Sequence, residues 1–216
     1  MRNQNFINGL VNDLSTPSES KNWFSLFFFS WLGCASILAM FTYLAMSFLP
    51  EDIHLPRQTG FSFWFHSALW FGLAISAALT AYSHSLIGKN LPVYRLFSRV
   101  FAIAVVLSAL IDLNGANVGA ELSAEFDFYQ GPCGGFIFLT GFLAANWMWV
   151  VIKRATPLNS RRTGMWAAVS VGAIGSGFMH MVCTHEGHAH ELVWHVVPLI
   201  LLTTLGAILG KKRIRW

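Results

Sequence analysis

Charge is what this sequence has least of: Asp, Glu, Lys and Arg make up 11% of its 216 residues, about half the share of an ordinary soluble domain. Hydrophobic residues make up 55%, in runs too long and too numerous for one water-soluble core. Regular alternation of apolar and polar residues is missing, which argues against a transmembrane β-barrel. No tandem repeat or low-complexity tract occurs. Catalytic signatures are missing too. There is no Gly-x-Ser-x-Gly, no phosphate-binding loop and no His-Glu-x-x-His, so the expectation is a protein that is not an enzyme. Cysteine is scarce, with Cys34, Cys133 and Cys183 the only three and no Cys-x-x-Cys among them. That argues against a thioredoxin-like or quinone-linked oxidant pair.

What is there is a set of six apolar runs, over 24–48, 62–85, 95–112, 133–151, 164–183 and 191–210. A span of about 20 apolar residues crosses roughly 30 Å of hydrocarbon, and most of these runs reach that length. Asp112, Asn114 and Asn117 blur the end of the third. The expected fold is an all-α integral membrane protein with six transmembrane helices. The first run follows 20 polar-leaning residues and carries no small-residue cleavage site, which reads as a retained span rather than a secretory signal. The domain plan is an N-terminal amphipathic segment and linker over 1–22, a transmembrane domain over 23–210 and a basic tail over 211–216.

Six spans place both termini on one side. Arg2, Lys21, Lys89, Arg95, Arg99, Lys153, Arg154, Arg161, Arg162, Lys211, Lys212, Arg213 and Arg215 fall on that side, and only Arg57 falls on the other. The acids run opposite: Glu51, Asp52, Asp112, Glu121, Glu125, Asp127, Glu186 and Glu191 outside, Asp13 and Glu19 inside. Loops rich in Lys and Arg stay in the cytoplasm, so both termini are expected there. The net charge of +4 then reflects topology, not the single basic face that nucleic acid would need.

Residues 4–14 carry Phe6, Ile7, Leu10, Val11 and Leu14 at helical spacing, ended by Thr16-Pro17-Ser18. Such a stripe suits an interfacial helix or a docking helix for a cytoplasmic partner, and it is too short to be firmly stable alone. Gly172, Ala173, Gly175 and Gly177 in the fifth run, and Gly206-x3-Gly210 in the sixth, permit close helix approach.

Chemistry gathers at one level. The run Cys183-Thr-His-Glu-Gly-His-Ala-His190, followed by Trp194-His195, sets a thiol and His185, His188, His190 and His195 within thirteen residues. His54 lies in the first outer loop, His66 one turn inside the second span, and Cys133 opens the fourth. His180 and Cys183 are three apart, sharing a face if the helix persists that far. Thus seven of the eight histidines fall in the outer third. Three readings stand side by side. Cys133 and Cys183 could form a disulfide, since an outward compartment permits one. Cys with two or three His could hold a transition metal such as zinc or copper. Or the residues merely pack and hydrogen-bond. Cys34 reads as a small buried hydrophobe.

Taken together, the opening Phe6-Ile7-x2-Leu10-x2-Asp13-Leu14, the Cys133 re-entry, Cys183, Trp194-His195 and the closing Gly210-x4-Arg215-Trp216 resemble bacterial six-span membrane anti-sigma factors of the NrsF type. The resemblance covers nearly the whole chain. It implies a multi-pass protein of the bacterial inner membrane whose N-terminal segment (Phe6, Ile7, Leu10, Val11, Asp13 and Leu14) holds a cytoplasmic extracytoplasmic-function (ECF) sigma factor. Cys133 and Cys183 would then sense thiol-reactive metals or oxidants, changing how spans four to six pack against span one. The imidazoles after Cys183 depart from that family's pattern, which favours metal ligation over a pure disulfide switch. The alternative is a periplasm-facing metal-binding membrane protein, for transport or metal handling, with no sigma-factor partner.

Overall fold

The computed structural model describes residues 18–47, 60–85, 91–113, 132–154, 157, 159–183 and 188–213. The N-terminal stripe 6–14, His54, His185 and the last three residues lie outside them. Every element among the described residues is helical: α1 Ser18–Ser47, α2 Phe61–Ser85, α3 Pro92–Leu113, α4 Pro132–Ile152 and α5 Ser160–Val182. The sixth helix is composite. It has a short turn His188–His190, a π-helical segment Glu191–Val196, and then α6 Val197–Arg213. Six of these helices are long and apolar enough to cross a membrane.

The helix starts follow local chemistry. α3 and α4 each open on a proline, whose missing N–H costs nothing in the first turn. α5 begins four residues before the apolar run, because Asn159 caps it: its Oδ1 accepts from the Arg162 N–H at 3.1 Å, satisfying a donor that otherwise has no partner in the first turn. Arg161 and Arg162 therefore sit inside the helix rather than in a loop.

α5 is the axis of the bundle. Its membrane-length window is 67% buried, against 17–44% for the other five, and it packs on α1, α2, α4 and α6. Small side chains make this position accessible. Ala167, Ala168, Gly172, Ala173, Gly175 and Gly177 are all buried along it. The contact with α6 is backbone against backbone: a Cβ added to Gly164 would stand 2.5 Å from the Gly206 carbonyl oxygen and 2.9 Å from Gly210 Cα. Gly206 and Gly210 are thus used inside the chain, against α5.

α1 lies on α4 and α5. The sixth helix runs along α5 and α4. Several polar groups inside the bundle are paired across helices, as a low-dielectric interior favours. Trp31 Nε1 donates to Ser170 Oγ at 2.6 Å, joining α1 to α5. Thr80 and Ser98 hydroxyls meet at 2.8 Å between α2 and α3. Cys34 is buried in α1 with its thiol 3.8 Å from the Ala144 carbonyl, as a small hydrophobe would be.

Candidate metal and redox centre

The start of α4 and the end of α5 occupy the same end of the bundle, and each delivers a cysteine. Cys133 is the second residue of α4. α5 stops at Val182, and Cys183 is its extended cap, with φ −71° and ψ 127° and its N–H donating to the Met179 carbonyl at 2.7 Å. The helix therefore ends before Cys183, so the helical spacing that would set it on the face of His180 does not extend that far. The Sγ atoms of Cys133 and Cys183 lie 3.6 Å apart with no disulfide between them.

His190 joins them. Its Nε2 is 3.2 Å from Cys183 Sγ, and one ligating atom from each of Cys133, Cys183 and His190 falls within 4.8 Å of the others. With metal–sulfur bonds of about 2.3 Å, two sulfurs on a tetrahedral zinc stand about 3.8 Å apart, so the donors are spaced as ligands would be. The hydrogen bond with Cys133 holds the Cys183 thiol well below its ordinary range, against the opposing effect of burial, and His190 and His195 lower it further. A thiolate is the form that attacks oxidants and binds metal.

The composite sixth helix explains how two histidines reach this point. Pro198 has no N–H, and its ring would strike the Trp194 carbonyl one α-turn earlier. The helix widens there instead, and the Val197 N–H reaches back five residues to the Leu192 carbonyl. Bonding at that interval brings residues five apart toward one face, which in an α-helix would diverge. His190 and His195 are such a pair, with ring centroids 5.8 Å apart and exposures of 1% and 2%. The Ser176 hydroxyl of α5 donates to the His195 carbonyl at 3.4 Å, and Gly134 lets α4 close on Trp194 and Pro198.

His180 belongs to a neighbouring group. Its ring stacks on Phe63 at 5.3 Å and meets His66 at 6.0 Å and His195 at 6.4 Å. Its Nε2 and the Nδ1 of His195 are buried without a hydrogen-bond partner. An imidazole string therefore runs from α2 through α5 to the sixth helix and ends on the thiols. His188 begins the turn before His190, and its side chain lies outside the described residues, as does the whole of His185. Two further residues carry the site. Trp70, fully buried in α2, donates Nε1 to Glu191 Oε1 at 2.9 Å, which pins the π-helical segment to the bundle. Glu191 at the edge of an apolar run signals a partner in the sequence; Pro198 signals the broken helix.

The described residues thus form a six-helix bundle of membrane-spanning length, with a thiol–imidazole centre at one end. Arg95, Arg99, Arg161, Arg162, Lys211 and Lys212 gather at the other. The model of the NrsF family, negative regulator of sigma F, matches residues 10–216, and the chain belongs to that family. Searches of curated proteins and of solved structures returned no match.

Proposed function

We propose that the chain is an anti-sigma factor of the bacterial inner membrane that holds a cytoplasmic ECF sigma factor through Phe6, Ile7, Leu10, Val11, Asp13 and Leu14. It releases that factor when Cys133 and Cys183 react with a metal or an oxidant. It performs no catalytic step. The family match over 10–216 carries the regulatory half of this reading, and the 3.6 Å approach of two cysteine sulfurs with no disulfide between them supports the sensing half. The Lys and Arg side chains at the opposite end support a cytoplasmic position for both termini.

Oxidation closes the Sγ–Sγ bond: two electrons pass to the oxidant, and any proton still carried by either sulfur leaves with them or to solvent. Metal binding replaces the thiol protons with metal–sulfur bonds. Either event acts on α4 and α5, two of the helices against which α1 packs, and the N-terminal segment directly precedes α1 in the sequence. To move the released state from about 1% to 99% occupancy, the signal must favour it by roughly 5.5 kcal/mol.

The test is a sigma-dependent transcription reporter in cells carrying the chain. Replacing both Cys133 and Cys183 by Ser should abolish induction by cadmium or diamide while the protein remains in the membrane. Full induction by both agents in that double variant would refute the sensing role.

A further inference from the structure

We infer that His190 and His195 complete the thiol pair as a four-ligand site for a divalent cation of the zinc and cadmium class. This rests on the reading above that Cys133 and Cys183 receive the signal, and it names the chemistry they receive. The donors are two sulfurs and two imidazoles drawn from three elements: the start of α4, the end of α5 and the π-helical turn.

Two sulfurs at 3.6 Å and a nitrogen at 3.2 Å from Cys183 are already near the edges of a tetrahedron about one ion. His195 stands beside this trio, its ring centroid 5.8 Å from that of His190, and its buried Nδ1 has no hydrogen-bond partner, so a small closing movement of the sixth helix brings it in as the fourth donor. The turn that brings it beside His190 disrupts the α-helical ladder, and such segments recur where side chains must converge. Two imidazoles less than 3% exposed in an apolar bundle are costly unless they are given partners. The donor set also selects. Hard cations such as magnesium and calcium take oxygen ligands, and the nearest carboxylate on the sixth helix, Glu191, is committed to Trp70. Sulfur with imidazole suits zinc and its heavier congener. Each cation bound forms two metal–sulfur bonds, and any proton still carried by either sulfur passes to solvent. The two thiolates then neutralise the ion inside the bundle. Four protein ligands leave no open position, so occupancy itself is the signal, as in closed structural sites.

The experiment uses the full-length reduced protein in detergent, titrated with cobalt(II) as a spectroscopic stand-in and then with zinc. The expected result is one cobalt per chain, with sulfur-to-cobalt charge-transfer absorption and the intense visible bands of tetrahedral cobalt, all bleached by zinc. His190→Ala, His195→Ala and the volume-preserving His195→Gln should each weaken zinc by at least the about 10- to 100-fold that loss of an outer-shell partner costs. Cys34→Ser, remote from the site in α1, should leave the affinity unchanged. Unchanged zinc affinity in the His190 and His195 variants, or the weak spectrum of octahedral cobalt, overturns the four-ligand site. No sigma factor takes part in the titration. Failure of the anti-sigma reading would therefore leave these affinities as expected, and failure of the ligand set would leave a cysteine-dependent reporter response intact.

Discussion

Replacing Gly164 by Ala tests the seam between α5 and α6 that holds the centre's two longest supports together. The added Cβ would lie 2.5 Å from the Gly206 carbonyl oxygen and 2.9 Å from Gly210 Cα. A carbon–oxygen contact settles at about 3.3 Å, so the helices must part by roughly 0.8 Å at that point. Both obstructing atoms are backbone and cannot rotate away, which places the cost at the upper end of overpacking, about 2–3 kcal/mol. Parting α5 from α6 also loosens the neighbouring contact, where a Cβ on Gly206 would meet Ala168 Cβ at 2.5 Å. The double variant Gly164→Ala, Gly206→Ala should therefore cost less than the sum of its parts. Gly135 is the control, because a Cβ there meets nothing within 4 Å. The assay is reversible unfolding in mixed micelles by added SDS, read by helix circular dichroism. A Gly164→Ala stability within about 0.5 kcal/mol of Gly135→Ala, the usual scatter of surface changes, would refute the seam.

The pH profile of alkylation is a second test. Because Cys183 is held below the ordinary thiol range, it stays a thiolate as pH falls from 9 to 6, and its maleimide rate should stay nearly flat. An ordinary thiol with a pKa of about 8.5 loses close to tenfold per unit below that value, and such a slope at Cys183 would contradict the assignment. Cys34, buried in α1, should label only after unfolding. Pro198→Ala restores an N–H to the sixth helix and removes the cause of the π-helical turn. Zinc affinity should fall while stability holds or rises, and an unchanged affinity would mean that the turn does not place the histidines. Trp70→Phe leaves Glu191 without its donor in the bundle and should destabilise by about 1.5–3 kcal/mol, the worth of a hydrogen bond to a charged group. Equal stability in the same SDS assay would show that the contact at 2.9 Å does not anchor the segment.

Much of the fold was legible because apolar run length maps directly onto helix length in a membrane. The six expected runs coincide with the six helices to within a few residues. The differences have local causes: Asn159 extends α5 backward through Ser160–Thr163, and α1 starts at Ser18, ahead of its apolar run. The shared level of Cys133 and Cys183 followed from the two arms of one hairpin. Their actual contact did not, since it depends on α5 ending at Val182 so that Cys183 turns out of the helix. The histidines were legible as a group but not as a selection. Spacing alone linked His180 to Cys183, whereas the helix ends before Cys183 and the His180 ring meets Phe63, His66 and His195. The pairing of His190 with His195 requires a π-helical interval, and Pro198 is the only sequence trace of it. Gly206-x3-Gly210 advertised close packing without saying against what. Gly164, the partner, stands outside the small-residue run that drew attention in the fifth span.

The most direct test of the central claim is recovery of the sigma factor with the affinity-purified membrane protein, using the intact chain and a chain lacking residues 1–17, which leaves α1 whole. A sigma factor identified by mass spectrometry, present with the intact chain and lost from the shortened one, is the predicted result. Equal recovery by both chains would contradict the proposed contact through residues 6–14, and recovery by neither would favour a metal-handling protein with no sigma-factor partner.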